Sequence, residues 1–145
     1  MNLDQAVILL AEDDKNDVFF MQRAFNKARL ANPLIIVPDG EEAIQYLKGE
    51  GKYPRASNPF PVLLLLDLHL PKKSGFEVLE WLRSQPVLKR LPAVILTTSS
   101  DGPDINRAYD LGANSYLIKP PTPEALKELV ERVGGYWLML NTPPA

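Results

Sequence analysis

Short apolar runs alternate along this chain with stretches whose hydrophobic residues recur at helical spacing, and that alternation restricts the possible folds more than any other feature. The runs Val7-Ile8-Leu9-Leu10-Ala11 and Val62 to Leu66 are apolar on both faces, as expected of strands covered on two sides in a parallel sheet. Leu34-Ile35-Ile36-Val37, Ala93-Val94-Ile95-Leu96 and Ser115-Tyr116-Leu117-Ile118 supply three more strands. Val18, Met21, Ala24, Phe25 and Ala28 predict a first helix from about Lys15 to Ala31, with Asp14 as its cap. Asp39 and Glu42 form a capping box for a second, which carries Ala43, Ile44 and Leu47 and stops at Gly49. A third begins near Gly75, with Phe76, Leu79 and Leu82 inward and Glu77, Glu80 and Arg83 outward. Asp104 to Gly112 reads as a short fourth, and Thr122-Pro123-Glu124 opens a fifth with a cap, a first-turn proline and a first-turn acid. Five strands alternating with five helices predict an α/β protein with a doubly wound, five-stranded parallel sheet.

Two segments stand outside this alternation. The breaker-rich stretch at 49–61 predicts a long surface loop inserted before the third strand. After Gly134-Gly135, the run Trp137-Leu138-Met139-Leu140 in the extension at 134–145 is more apolar than a chain end needs to be. Either the last helix continues and folds back on its own domain, or the run forms a partner surface.

With 145 residues the chain fits a single domain, 1–145. Its 16 Lys plus Arg against 18 Asp plus Glu leave no basic footprint for nucleic acid. The absence of cysteine removes disulfides, thiolate metal sites and cysteine nucleophiles, and fits a reducing compartment. No apolar run approaches the length of a membrane span, and Met1-Asn2-Leu3-Asp4 lacks the basic start of a signal peptide. The expectation is a cytoplasmic protein that contacts neither membrane nor nucleic acid.

The residues at the carboxyl ends of the strands are more informative than the strands themselves. The first strand ends in Glu12-Asp13, the third in Asp67, the fourth in Thr97-Thr98 and the fifth in Lys119-Pro120. Parallel strands bring these residues to one sheet edge, where open α/β sheets bind their ligands. Clustered carboxylates repel unless a cation sits among them, and hard oxygen donors favour Mg²⁺. An acidic metal pocket, a central carboxylate, a hydroxyl and a cation suit phosphoryl transfer, which is mostly positioning and charge neutralisation.

In these residues the chain resembles the receiver domains of two-component response regulators. The resemblance covers nearly the whole chain and rests on Glu12-Asp13, Asp67 in Leu66-Asp67-Leu68-His69-Leu70-Pro71, Gly75, Thr97, and Tyr116 three residues before Lys119-Pro120. It is greatest to the small single-domain regulators paired with bacterial phytochromes, through the 49–61 loop, Leu70-Pro71-Lys72-Lys73 and Tyr136-Trp137-Leu138. The resemblance implies a flavodoxin-like sheet of strand order 2-1-3-4-5. It implies Asp67 as phosphoacceptor for a sensor histidine kinase, a phytochrome among the candidates. Asp13, Asp67 and the backbone carbonyl of His69 would bind Mg²⁺, with Glu12 acting through a bound water. Lys119 and Thr97 would contact the phosphoryl oxygens, and Thr97 and Tyr116 would carry the switch. Homodimerisation through the fourth helix, fifth strand, fifth helix and the C-terminal extension is also implied.

His69 is the only histidine, but its side chain is expected at the pocket mouth and not on a metal. Thr98 could crowd the approach of a phosphodonor. The competing reading is a Mg²⁺-dependent phosphohydrolase with an aspartyl-phosphate intermediate. Such enzymes usually need a second acid two residues after the nucleophile, where this chain has His69.

Overall fold

In a computed structural model of the protein, residues 6–144 are described. The Met1-Asn2-Leu3-Asp4 segment, and with it the reading that no signal peptide is present, lies outside the described residues. The elements run β1 (Ile8–Ala11), α1 (Lys15–Lys27), β2 (Leu34–Val37), α2 (Gly40–Lys48), β3 (Leu63–Leu66), α3 (Gly75–Ser84), β4 (Ala93–Thr97), α4 (Gly102–Asp110), β5 (Ser115–Ile118) and α5 (Pro123–Gly134). The five strands are all parallel in the order β2-β1-β3-β4-β5. Winding reverses beside β1, so the crevice used by ligands of such sheets opens between β1 and β3.

Alternation along the strands divides the core in two. Leu9, Ala11, Leu64, Leu66, Ala93 and Ile95 face one side and pack with Ala43, Leu47, Val78, Leu79, Leu82 and Ala108 from α2, α3 and α4. Ile8, Leu10, Leu63, Leu65, Val94 and Leu96 face the other and pack with Met21, Phe25, Leu126 and Val130 from α1 and α5. Both faces of the three inner strands are therefore dry, which is why their sequences show no polar period. The edge strands β2 and β5 are mostly half-buried.

Several local readings need correction. Helix α1 ends at Lys27 instead of reaching Ala31, because Arg29 takes a left-handed conformation (φ 57°) and Leu30 N–H donates back to the Phe25 carbonyl at 3.3 Å. Arginine replaces the glycine usual in such a cap, so the sequence carries no stop signal. Asp39 caps α2 by accepting from Glu42 N–H at 2.7 Å, but Glu42 does not complete the box. Its carboxylate instead accepts from the Tyr53 hydroxyl at 2.6 Å and from Lys52 Nζ at 3.1 Å. The complete capping box is at α3, between Ser74 and Glu77. Helix α4 starts two residues before the predicted Asp104, at Gly102-Pro103, a first-turn proline.

Arg83 is not an outward surface residue. Its guanidinium donates to the carbonyls of Gly112, Lys89 and Leu91 at 2.7–2.9 Å and to Asn114 Oδ1 at 2.8 Å, tying the connections before β4 and β5 to α3. The 49–61 loop is also anchored by an arginine. Arg55 donates to the Tyr46 and Leu47 carbonyls at the end of α2, 2.9 Å each, and to Asn58 O at 2.9 Å, where a cation complements the helix dipole.

The last helix passes through Gly134-Gly135 without breaking and ends in a wider, π-helical turn over Gly135–Leu140. Gly134 lies inside the helix and not at a chain reversal: a Cβ there would lie 2.7 Å from Leu30 Cδ1, so a larger residue would require the Leu30 side chain to shift. Leu138 is buried and Trp137 packs against the α1/α5 side of the core, while Tyr136, Met139 and Leu140 remain exposed. The segment thus continues the last helix and folds one face back on its own domain, leaving the other face exposed.

Tyr53→Phe should cost about 0.5–1.5 kcal/mol of unfolding free energy near neutral pH, the usual net value of an intramolecular hydrogen bond, since the pair is only part-buried. The Tyr53 hydroxyl holds the Glu42 carboxyl below its ordinary value. The contribution is therefore present above the unfolded carboxyl pKa and fades as pH falls through the lower folded one. Urea unfolding of both proteins across the acid range checks this; a difference that persists unchanged in acid would contradict it.

Candidate functional site

The register sets the carboxyl ends of β1 and β3 side by side: Ala11 pairs with Leu66, and the next residues are Glu12 and Asp67. Asp67 N–H donates to Ala11 O at 3.2 Å and Glu12 N–H to Val37 O at 3.0 Å, so the backbone remains laddered up to the acids. Carboxylate oxygens of Glu12, Asp13 and Asp67 lie within 4.8 Å of one another. Glu12 is 2% exposed and Asp67 is buried, while Asp13 faces solvent at the rim. Asp14 turns away and caps α1, its Oδ1 accepting from Asn16 and Asp17 N–H at 2.8 and 3.0 Å.

Lys119 arrives from the end of β5, where its N–H donates to Thr97 O at 2.7 Å. Its ammonium is the counter-ion of the cluster. Nζ donates to Glu12 Oε1, to Asp67 Oδ2 at 3.0 Å and to Asp17 Oδ2 at 2.8 Å. Sequence reasoning does not single out Asp17. An acid in the first turn of a helix is ordinarily accounted for by the dipole, and only its place on the turn facing the acidic strand end marks it.

The electrostatics reflect this crowding. Burial pushes the Glu12 carboxyl up, to about 7, against the opposing pull of Lys119. Burial also pushes on Asp67, but the Lys119 ammonium, the His69 N–H at 3.2 Å from Oδ1 and the Thr97 hydroxyl outweigh it, leaving that carboxyl below its ordinary value. Burial works against the Lys119 charge, yet its hydrogen bonds to Asp17 and Glu12 raise its pKa. Asp67 is thus kept ionised, and its neighbours accommodate the charge.

Gly75 accounts for the close approach of α3 to the end of β3. A Cβ at Gly75 would lie 2.2 Å from Asp67 O, so any side chain at the start of α3 would displace the backbone carrying Asp67. On the opposite wall Thr97 is fully buried. The Tyr116 hydroxyl donates to the Ser99 carbonyl at 2.9 Å, Ser99 Oγ to Asp104 Oδ2 at 2.8 Å, and the His69 ring places Nε2 3.8 Å from the same carboxylate. The imidazole is therefore at the rim, outside the acid cluster. Thr98 lines a cleft of about 380 Å³ beside Lys119, together with Phe20, Met21 and the Pro120–Pro123 segment. A larger cleft, about 650 Å³, opens at the other end of the strands against Trp137 and Leu138, far from the acids.

Residues 8–131 match the family model of the response regulator receiver domain. The chain belongs to that family. It is 41% identical over 139 residues to response regulator Rcp1 of Synechocystis sp., covering 96% of this chain and 93% of that protein. Among solved structures, it resembles the phosphorylated cyanobacterial phytochrome response regulator RcpA with a TM-score of 0.89 at 40% identity, over 97% of this chain and 99% of that one. The Mn²⁺-bound form of Rcp1 gives 0.85 at 41% identity with the same coverage. The family, the strand order and the likeness to phytochrome response regulators stand as the sequence implied. This receiver domain has an acidic cluster at the sheet edge, and a metal-bound form of a relative is known.

Lys119→Met should lower stability by about 3–5 kcal/mol at neutral pH in the presence of a chelator, because it removes the ammonium that contacts two buried carboxylates. A divalent cation should recover part of the loss. Chemical unfolding with and without the cation checks both; an unchanged midpoint in chelator would contradict the counter-ion role.

Proposed function

We propose that this receiver accepts a phosphoryl group on Asp67 from the phosphohistidine of a sensor histidine kinase, in a Mg²⁺-dependent reaction, and relays that event through its α4-β5-α5 surface. The observation that carries the reading is the Asp67 carboxylate itself: buried, kept ionised, and bonded to Lys119, His69 N–H and Thr97. An Asp67 oxygen attacks phosphorus, the P–N bond to the kinase imidazole breaks, and the electron pair leaves with that nitrogen. Thr97 and Lys119 then donate to phosphoryl oxygens.

The donor set fits a hard divalent cation: three carboxylates with oxygens within 4.8 Å of one another and no sulfur or imidazole among them. Asp13, Asp67 and the His69 carbonyl would hold Mg²⁺, with Glu12 acting through a bound water. When bound, the ion neutralises charge and polarises the transferring group. Burial favours the neutral form of Glu12, and a bound cation would favour its ionised form and draw it from Lys119.

The output runs through Thr97 and Tyr116. Drawing the Thr97 hydroxyl onto a phosphoryl oxygen frees space beside Tyr116, whose hydroxyl is tied to Ser99 in the loop between β4 and α4. Inward rotation of the ring then favours one of two arrangements of α4 and β5. A phosphohydrolase is not supported: the position two residues after Asp67 carries His69, whose ring lies beside Asp104.

The likeness to phytochrome response regulators supports a phytochrome-type kinase as partner. The exposed Phe20 beside the Lys119 cleft offers that partner an apolar contact. Tyr109, Ile118, Tyr136, Met139 and Leu140 are exposed on α4, β5 and the C-terminal turn, which supports an isologous homodimer over that surface. The chain would act as one receiver domain over 1–145 in the cytoplasm, promoting only its own phosphorylation and dephosphorylation. No helix among the described residues is long and apolar enough to cross a membrane.

Acetyl phosphate with Mg²⁺ should add one phosphoryl group, seen as a mass increase on the intact chain, and Asp67→Asn should abolish it; labelling that survives in the variant would reject Asp67 as acceptor. Sedimentation should show a dimer in the presence of Mg²⁺ and beryllofluoride. A monomer both with and without the mimic would reject the dimer.

A further inference from the structure

We propose that Asp17 is a positioning residue for phosphoryl transfer: it holds the Lys119 ammonium on the α1 side of the pocket, so that an N–H stays aimed at the phosphoryl group once the other acceptors are withdrawn. The inference rests on the proposed phosphorylation of Asp67 and adds a residue to that site.

A lysine ammonium has three N–H donors, and here each has its own carboxylate, on Glu12, Asp17 and Asp67. Two of these three belong to the acid cluster at the strand ends. Conversion of Asp67 to an acyl phosphate changes one acceptor, and recruitment of Glu12 toward a cation removes another. Of the three, Asp17 lies outside that cluster, on a helix instead of a strand end. Without it, a flexible four-carbon side chain would be free to swing as its partners change.

Asp17 is suited to that task because its own backbone is fixed. It is the third residue of α1, and its N–H donates to the Asp14 cap at 3.0 Å. Capping explains Asp14, and the helix dipole would tolerate an acid at 17, but neither requires its Oδ2 to lie 2.8 Å from Lys119 Nζ. Charge alone would make Asp17 a hindrance, since it repels an anionic phosphodonor. Its side chain is 37% exposed, so that repulsion is screened while the directed hydrogen bond remains. The two effects have opposite signs, which makes the proposal testable.

In the metal-free protein labelled with ¹⁵N-lysine, the Lys119 ammonium should give a slowly exchanging signal whose exchange with water quickens in Asp17→Ala, where only two acceptors remain, and is little changed in Asp17→Asn, whose amide oxygen still accepts. With Mg²⁺ and saturating acetyl phosphate, Asp17→Ala should lower the maximal phosphorylation rate constant by about tenfold without raising the half-saturating donor concentration. Asp17→Asn should restore most of the rate. In a Lys119→Ala background, Asp17→Ala should have no further effect. A rate equal to or above that of the unsubstituted protein, or the same loss without the lysine, would overturn the proposal. If the unsubstituted chain takes no label, phosphorylation of Asp67 is what fails; the lysine signal still tests the hold, and a signal unchanged in Asp17→Ala would overturn it.

Discussion

One ammonium group keeps the acidic end of this sheet together. Lys119 contacts Glu12, Asp17 and Asp67, and without a cation at that point three acids converging on a largely buried crevice would have to protonate or separate. The unequal response of the two buried carboxyls has its origin in the same crowding. Burial outweighs the pull of Lys119 at Glu12 and pushes that carboxyl toward its neutral form, while at Asp67 the Lys119 ammonium, together with the His69 N–H and the Thr97 hydroxyl, outweighs burial and keeps the charge. Such a pair differs chemically although both members are acids at neighbouring strand ends.

The rest of the fold holds those few atoms in place. Parallel register puts Glu12 beside Asp67, and dry packing on both faces of β1, β3 and β4 prevents a slip that would separate them. Gly75 lets α3 start against the backbone of Asp67, and Arg83 fixes the loops that lead into β4 and β5, which carry Thr97 and Lys119. The wall of the pocket is continuous with α4 through Ser99, Asp104 and Tyr116.

Most of the fold, and the convergence of Glu12, Asp13, Asp67, Thr97 and Lys119 at one sheet edge, were legible in the sequence, for a physical reason. Unbroken apolar runs in Val7–Ala11 and Val62–Leu66 admit few environments, and an acid, hydroxyl or lysine directly after a buried strand needs explaining. The features that escaped depend on tertiary contact. Arg29 takes a conformation normally left to glycine, Glu42 leaves its cap for Tyr53, and Arg83 reaches carbonyls from two distant loops. Gly134-Gly135 has the look of a helix end but accommodates Leu30. Asp17 escaped because first-turn acids are common and only the fold brings this one within 2.8 Å of a lysine 102 residues away.

The lysine's change of partner is the central claim, and a high-resolution structure of the protein with Mg²⁺ and beryllofluoride tests it most directly. Lys119 Nζ is expected to donate to the adduct on Asp67 while keeping its bond to Asp17, with Glu12 released toward the metal. A lysine still bonded to Glu12 and directed away from an occupied Asp67 would contradict the switch.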